Sequence, residues 1–429
     1  KRQNMYHDKL YLLGFTEAAG NFQNDNFGRG GVQADRVSAE AQDYSGTNNA
    51  NFTTLPDGTR GRMQMYVFTG PTPDRTSGLD NDVLLHELTH GTSNRLHGNA
   101  SGLLATMSGG MGEGWSDFYA RALLSSAGED VNAIYSMGGW VTNLMFSGTY
   151  TDNYYYGIRR FPHAVKTNVG ANTKPHNPLT FADIDPAQIN LTDGAYPKGP
   201  GGSATAFQVH NIGEVWAAAL FEVRARFINR LGWATGNQRI LQFVTDGMKL
   251  DPWNPTLLQG RDSIIAAAYA GGGTAADIAD IWAGFATRGM GVSARVVNPN
   301  TGTVTEAFDL PGTAYGGWFM TGESIPNGRI DPTETVSVSL CVSNTSGTTT
   351  GTVVGTLAAT GGVTSPSGAQ NFGAIGAGAI SCQSYTFTVS ASCGATVTAT
   401  LGITDTSGPS KNLTYALQVG SPNIIMSQN

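Results

Sequence analysis

The pentapeptide His86-Glu87-Leu88-Thr89-His90 constrains this chain more than any other feature, because its spacing is that of a metal site on an α-helix. Residues four apart on a helix share a face, so both imidazoles can direct a ring nitrogen at one ion. The Glu87 carboxylate lies beside them, where it can accept a proton from an attacking water and return it to a leaving amine. The pattern predicts His86 and His90 as zinc ligands and Glu87 as general base and acid.

The flanking residues predict a helix around this motif. Asp80 and Asn81 offer oxygens that can cap a helix N-terminus, and an apolar run follows them. Gly91 comes directly after the second histidine, so we expect the helix to begin near residue 80 and to bend or end after His90. The alternative is an ordinary buried helix whose two histidines are satisfied by hydrogen bonds.

A second motif, residues 109–118, supplies the carboxylates that such a site needs. A catalytic zinc takes three protein ligands, and Glu113 fits the third position beside two histidines. We expect the preceding glycines to form a flexible turn and a helix to start at Glu113. Asp117 then lies one helical turn further on, where it can hold the second ring N–H of a ligand histidine. The alternative is a surface acid at a helix start, which the helix dipole favours.

These two motifs resemble those of the fungalysins, a family of secreted zinc endopeptidases related to thermolysin. The likeness continues in the same order through roughly residues 4–295, which makes it specific. The other segments that carry it are residues 7–8 (HD), 14–23 (GFTEAAGNFQ), 48–52 (NNANF), 56–58 (PDG), 63–66 (MQMY), 157–162 (GIRRFP), 209–210 (VH), 213–216 (GEVW), 246–250 (DGMKL), 254–255 (NP) and 285–291 (FATRGMG).

The resemblance implies an α+β fold for this part of the chain. It implies a thermolysin-like metallopeptidase domain of two lobes, a strand-containing N-terminal lobe and a helical C-terminal lobe, with the cleft at about residues 80–117. It also implies that His86, His90 and Glu113 hold one catalytic Zn²⁺, that Glu87 is the general base and acid, and that Asp117 is the partner of a ligand histidine.

His210 falls where the family places the histidine that stabilises the oxyanion. From the residues alone it is equally a surface histidine before the amphipathic run 212–227. In thermolysin-like sites an upstream acid orients this histidine, but residues 201–208 contain no acid. Glu214, four residues after His210, is a candidate substitute.

Two further sets of residues are implied by the family. A tyrosine shares the oxyanion role in these enzymes, and Tyr154, Tyr155 and Tyr156 lie near the expected place. Three consecutive tyrosines are also typical of a half-buried strand or loop. Asn49 and Ala50 resemble the edge-strand dipeptide that hydrogen-bonds the substrate backbone, and a polar turn between two strands is the alternative.

Composition and charge narrow the class of partner. With 25 Lys and Arg against 32 Asp and Glu, the formal net charge is −7, and there is no basic cluster, so nucleic acid is not expected as a partner. No apolar run approaches 18 residues, so no membrane span is predicted. We expect a secreted, extracellular monomer that acts on proteins and peptides. The polar start at Lys1 indicates the cut end of a longer precursor, and the family implies an N-terminal propeptide that inhibits and assists folding.

Near residue 300 the sequence changes from helical apolar spacing to short strand patterns separated by glycine-rich turns. This change predicts a metallopeptidase domain over 1–298, a linker over 299–327 and a β-sandwich over 328–429. Residues 328–345 resemble the immunoglobulin-like modules appended to bacterial secreted proteases. Helices are predicted at 81–90, 113–126, 212–231, 238–250, 260–269 and 275–289, and strands at 36–40, 61–68, 334–344, 350–358, 384–390, 396–404 and 412–418.

The last part of the chain holds all three cysteines and a pair of acids. Cys382 and Cys393 flank an alternating strand pattern, which predicts a disulfide between them and leaves Cys341 unpaired. Asp331 and Glu334 are candidates for a structural Ca²⁺, although an acid in a turn before proline is the commoner meaning.

Three functions remain from different classes. The first is a zinc endopeptidase that hydrolyses peptide bonds in proteins with a metal-activated water. The second is a zinc exopeptidase or narrow-specificity peptidase on the same scaffold, since the shape of the cleft decides between them. The third is an adhesive binding protein with a degenerate catalytic domain, against which the presence of His86, His90, Glu87 and Glu113 speaks.

Overall fold

Helices account for most of the regular secondary structure described before residue 290, as apolar side chains three and four residues apart predict. The computed structural model describes residues 1–142, 157–166, 177–188, 206–346, 348–406 and 408–420. The chain divides into unit 1, Lys1–Leu310, and unit 2, Pro311–Asn429. The helices described in unit 1 are α1 (Arg2–Leu12), α2 (Asn81–Leu96), α3 (Thr106–Leu124), α4 (Val209–Leu231), α5 (Trp233–Leu250), α6 (Leu257–Ala270) and α7 (Ala275–Thr287).

Short strands complete unit 1. The three-stranded sheet has the order β1-β3-β2, with β1 parallel to β3 and β2 antiparallel to it, so β2 lies at an edge. The pairs β4-β5 and β6-β7 form two small antiparallel ribbons. These strands are β1 (Ser38–Ala41), β2 (Ala50–Thr53), β3 (Arg62–Met65), β4 (Val67–Phe68), β5 (Arg75–Thr76), β6 (Arg295–Asn298) and β7 (Thr303–Thr305). The mixture of helices and strands confirms the coarse α+β class.

Helix α4 lies at the centre of the helical core, because it is apolar on nearly every face. Val215, Trp216, Leu220 and Phe227 are all fully buried. The helix packs against α3, α5 and α7, and a helix that is apolar all round needs such neighbours on several sides.

Helix α2 begins where its cap residue predicts but does not end after His90. The Asp80 carboxylate accepts a hydrogen bond from the Asp82 N–H at 3.0 Å, which caps the N-terminus. The helix then continues through Gly91 to Leu96. A Cβ at Gly91 would lie 2.7 Å from the Phe52 ring and 2.9 Å from the Phe22 ring, so glycine is needed there for packing and does not terminate the helix.

The glycines before Glu113 lie inside helix α3, so the predicted flexible turn is wrong. Gly110 instead allows close helix packing. A Cβ at Gly110 would lie 2.5 Å from the Cβ of Ile212 in α4, and a Cβ at Gly213 would lie 2.5 Å from the Cβ of Glu113. The backbones of α3 and α4 therefore approach each other here more closely than larger residues would allow. This glycine contact joins the helix that carries Glu113 to the helix that carries His210.

Unit 2 consists of strands. Its two four-stranded sheets have the orders β12-β10-β14-β15 and β11-β13-β9-β8, and buried side chains from both sheets form one apolar core. Strand β8 begins at Thr313, so ordered strands occupy much of the segment 299–327 that was predicted to be a linker. The strands are β8 (Thr313–Glu323), β9 (Thr335–Asn344), β10 (Thr352–Leu357), β11 (Val363–Thr364), β12 (Gln370–Ala374), β13 (Ile380–Val389), β14 (Thr396–Asp405) and β15 (Gly408–Gln418).

The disulfide of unit 2 joins Cys341 to Cys382, so the predicted pairing of Cys382 with Cys393 is wrong. The reason is strand register. Cys341 in β9 and Cys382 in β13 are direct partners across the two antiparallel strands, with their Cα atoms 4.0 Å apart. Cys393 lies after the end of β13, where it is exposed with a free thiol.

In the part of the chain that the structure describes, no helix combines the length and apolar character needed to cross a bilayer.

Candidate functional site

Helices α2 and α3 bring the three predicted metal donors together. The Nε2 atoms of His86 and His90, one turn apart on α2, are 3.0 Å from each other. The Glu113 carboxylate on α3 faces both, with Oε2 3.2 Å from the His86 nitrogen and Oε1 3.6 Å from the His90 nitrogen. Among the described residues, these three form the one group of histidine, cysteine or acidic side chains with spacing suited to a metal ion.

The donor set fits zinc. Two atoms at 2.0–2.1 Å from a tetrahedral ion are about 3.3 Å apart, and the three donor separations bracket that value. Two imidazoles and one carboxylate are also the donors of a common type of catalytic zinc site, which leaves a fourth position open. In addition, Glu113 Oε2 is buried without a well-aligned hydrogen bond, and the one guanidinium near it, that of Arg159, approaches only to 3.6 Å, so a cation at the metal position would satisfy it better.

Asp117 holds one of the ligand histidines. Its Oδ1 is 2.7 Å from the Nδ1 of His86, which leaves Nε2 free to face the metal position. Arg159 donates to both Asp117 oxygens, from Nε at 2.7 Å and from Nη2 at 2.8 Å. Burial alone would raise the pKa of Asp117, but Arg159 and His86 hold it well below its usual range. The carboxylate therefore stays charged and orients the ring.

The two predicted ligand histidines differ in their affinity for protons. Burial lowers the pKa of His90 to about 4, so its ring is neutral at physiological pH, as a metal donor must be. Burial also acts to lower the pKa of His86, but the facing carboxylates of Asp117 and Glu113 raise it to about 10. Metal binding at His86 therefore competes with a proton, and a metal ion that binds there releases it.

Glu87 points into the same site with a perturbed acidity. Its side chain lines the cleft but is largely buried, with an exposed fraction of 6%. Burial, together with the Glu113 charge, raises the pKa of Glu87 to about 7 against the opposing effect of His86. A carboxyl group with a pKa near neutrality can both accept and return a proton at physiological pH.

His210 lies at the start of α4 and reaches the metal donors. Its Nε2 is 3.4 Å from Glu113 Oε1, and its side chain is 45% exposed. On its other side, Nδ1 is 2.8 Å from the amide nitrogen of Gln208. Glu214, the candidate substitute for the orienting acid, instead forms a buried ion pair with Arg160. The side chain that touches the back of the His210 ring is therefore a neutral amide.

A cleft of about 600 Å³ runs past these groups. Edge strand β2 forms one wall, and Asn49 and Ala50, which were predicted to bind substrate, are among the residues that line the cleft. An apolar part of the wall adjoins Arg159 and is made by Phe68, Val83, Met137 and Ile158.

Two further predictions concern the oxyanion tyrosines and the calcium ligands. Tyr154, Tyr155 and Tyr156 fall outside the described residues. The Glu334 carboxylate accepts hydrogen bonds from the N–H groups of Ile325 and Asp331 at 2.7 and 2.9 Å, so it shapes a turn. The Asp331 carboxylate accepts a bond from an asparagine amide in the same turn.

Reasoning from the sequence missed Arg159, Gln208 and the apolar wall. Two adjacent arginines in the apolar segment 157–162 were a usable signal, because buried arginines require carboxylate partners. From the sequence, no role was assigned to His163 either. Its buried Nε2 has no hydrogen-bond partner and lies 3.8 Å from Asp117 Oδ2.

Comparison with known proteins places this geometry in context. The family model described as fungalysin metallopeptidase (M36) matches residues 2–294. An extracellular metalloproteinase of Aspergillus fumigatus is 40% identical over 321 residues, which cover 71% of this chain and 44% of that protein. The extracellular metalloproteinases of Pyricularia oryzae and Fusarium vanettenii are 40% and 39% identical, over 68% and 72% of this chain and 43% and 45% of their own lengths. The chain thus spans less than half of the length of these relatives.

Proposed function

The chain belongs to the fungalysin family of metallopeptidases, and from that premise we propose that it is a secreted zinc endopeptidase that hydrolyses peptide bonds in proteins. The observation that carries the proposal is the convergence of His86, His90 and Glu113, whose ligand atoms lie within 4.8 Å of one another, beside the buried carboxylate of Glu87. The relatives are named extracellular metalloproteinases, which supports secretion.

His86, His90 and Glu113 would hold the ion, and Asp117 with Arg159 would fix the His86 ring. Zinc bound there supplies Lewis acidity, which polarises a peptide carbonyl and makes water a better nucleophile. Glu87 accepts the proton that the attacking water loses, because its pKa of about 7 allows it to be ionised at the start. It then returns this proton to the amine that leaves.

His210 stabilises the charge that develops on the carbonyl oxygen. Its Nε2 lies 3.4 Å from Glu113 Oε1, beside the metal donors. A hydrogen-bond donor placed there acts on the transition state more than on the bound substrate, so it raises kcat. A second donor from Tyr154, Tyr155 or Tyr156 remains an expectation from the family.

The substrate lies extended along edge strand β2. An added strand is held by main-chain hydrogen bonds, and Asn49 and Ala50 contribute to that wall of the cleft. The apolar wall of Phe68, Val83, Met137 and Ile158 favours a bulky apolar side chain after the cleaved bond, since burying such a side chain gains about 1.5–3 kcal/mol.

Several finer features belong to the same proposal. We expect a thermolysin-like division of the metallopeptidase domain into two lobes, a monomer, and synthesis with an N-terminal propeptide as inhibitor. The two sheets of unit 2 and their common core support an immunoglobulin-like β-sandwich.

The test is the isosteric change Glu87→Gln. We expect the variant to keep one zinc per chain, because the donor set is intact, and to lose casein hydrolysis by about 10²–10⁴-fold, because the proton acceptor is gone. Glu40→Gln is the matched control: this half-exposed acid on β1 pairs with Arg62, away from the metal donors, and its change should leave activity unaltered. A Glu87→Gln enzyme with near wild-type activity would contradict the assignment.

The fragments of the digest separate endopeptidase from exopeptidase. An endopeptidase cuts folded or denatured proteins at internal bonds, so mass spectrometry should find fragments with new termini at both ends. Progressive loss of single residues from one end would favour the exopeptidase instead. A chelator should abolish hydrolysis and added Zn²⁺ should restore it, and a wild-type chain without any hydrolysis would favour the adhesive protein.

A further inference from the structure

The amide of Gln208 has a fixed orientation at the start of helix α4. As the N-cap residue, it accepts hydrogen bonds at Oε1 from the backbone N–H of His210 at 2.8 Å and of Asn211 at 3.3 Å. Backbone N–H groups can only donate, so the oxygen of the amide must face them. The NH₂ group consequently faces the other way, toward the His210 ring.

This orientation determines where the proton of His210 lies. The Gln208 amide nitrogen is 2.8 Å from Nδ1 of the ring. An NH₂ group donates and cannot accept, so Nδ1 must be the acceptor and carries no proton. The single ring proton is therefore on Nε2, the atom that lies 3.4 Å from Glu113 Oε1 at the metal donor set.

We propose that Gln208 is a positioning residue that holds His210 as the Nε2–H tautomer, so that the ring presents a fixed hydrogen-bond donor to the substrate carbonyl oxygen. The inference rests on the proposed peptidase function. A carboxylate in this position would accept a hydrogen bond from Nδ1–H. It would therefore favour the tautomer that carries its proton on Nδ1 instead of Nε2. Glu214 does not supply that acid, because it is paired with Arg160.

Two variants separate the tautomer from the cap. Gln208→Ser keeps a good N-cap oxygen but is too short to reach the ring, so thermal stability should hold while kcat falls about 10-fold with KM within about 2-fold. Gln208→Glu keeps the side-chain length and an oxygen that can cap the helix, but its carboxylate accepts a hydrogen bond from Nδ1–H. Gln259→Glu is the matched control, because this exposed glutamine accepts at another helix N-terminus and should change nothing.

The direct readout is ¹⁵N NMR of the histidine rings in the zinc-loaded enzyme, with only seven histidines to resolve and the His210 signals identified by their absence in His210→Ala. We expect wild-type His210 to carry its proton on Nε2 with Nδ1 unprotonated, and Gln208→Glu to move a proton to Nδ1. A wild-type ring protonated at Nδ1, or a Gln208→Ser enzyme with unchanged kcat, would overturn the inference.

The ring spectrum does not depend on turnover. A chain that shows the expected tautomer but hydrolyses no peptide would therefore contradict the proposed function and leave the assignment of Gln208 intact. An active peptidase with Nδ1 protonated would do the reverse.

Discussion

Replacing Gly110 by alanine tests whether α3 and α4 are in backbone contact at the site. The new Cβ would lie 2.5 Å from both Cβ and Cγ2 of Ile212 and 3.1 Å from the carbonyl oxygen of Val209. Carbon atoms in contact prefer about 3.5–4.0 Å, so the helices must separate by roughly 1 Å. Side-chain rotation cannot relieve this, because the Ile212 Cβ is attached directly to the backbone.

The same substitution at the neighbouring Gly109 is a matched control that should stabilise the protein instead of destabilising it. A Cβ there would meet Val209 Cγ1 at 3.4 Å and the Leu103 carbonyl oxygen at 3.7 Å, which are ordinary contacts. Gly109→Ala should therefore gain only the helix propensity of alanine, about 1 kcal/mol. Gly110→Ala gains the same amount but loses about 1–3 kcal/mol to overpacking, which gives a net destabilisation of about 1 kcal/mol.

Activity should separate the two variants more strongly than stability does. Glu113 follows Gly110 by one helical turn, so separating α3 from α4 changes the position of the carboxylate relative to the histidines on α2. A displacement near 1 Å costs about 10²-fold in rate, and we expect a loss of 10- to 100-fold in kcat/KM for Gly110→Ala and none for Gly109→Ala.

Thermal unfolding, zinc content and peptide hydrolysis measure these effects together. At about 2–4 °C per kcal/mol, Gly109→Ala should raise the Tm by a few degrees and Gly110→Ala should lower it by a similar amount. If the two alanines behaved alike in both stability and activity, the close contact between α3 and α4 would be refuted.

Three other predictions concern the second carboxylate, an ion-pair cluster and the disulfide. Asp117→Asn should weaken zinc binding about 10–100-fold in a chelator competition, because His86 loses its charged partner. Burial acts to raise the pKa of Asp277, but hydrogen bonds from two arginines lower it to about 2, so its stabilisation is full above pH 4 and is lost as pH falls to 2. Asp277→Asn should cost about 1–2 kcal/mol in urea unfolding at pH 7, after allowance for screening of the half-exposed arginines, and the difference from wild type should vanish near pH 2. Removing the Cys341–Cys382 bond, which closes a separation of 41 residues, should destabilise unit 2 by about 3–4 kcal/mol in thermal unfolding, whereas Cys393→Ser should have no effect.

The sequence predicts best what depends on short spacing. The helical positions of His86 and His90 follow from a separation of four residues, and the cap at Asp80 follows from its place before an apolar run. By contrast, helix α1 is polar and buries only Tyr6 and Leu10, so apolar periodicity gives no sign of it.

The features that could not be predicted from the sequence depend on contacts between distant segments. Gly110 reads as a turn residue until α4 is known to lie 2.5 Å from its missing Cβ. Cys341 pairs with Cys382 because two strands align in register, which no local pattern specifies. Arg159 joins the site through Asp117, 42 residues earlier in the chain. In each case the partner is selected by tertiary packing.

The glycine contact between α3 and α4 couples the proposed metal ligand to the proposed oxyanion donor. Glu113, the proposed metal ligand on α3, and His210, the proposed oxyanion donor on α4, flank the close helix contact made at Gly110 and Gly213. If heating separates α3 from α4, both residues leave their positions in one event. A partly inactivated preparation should consequently be a mixture of fully competent and wholly inert molecules, whose survivors keep the original turnover number.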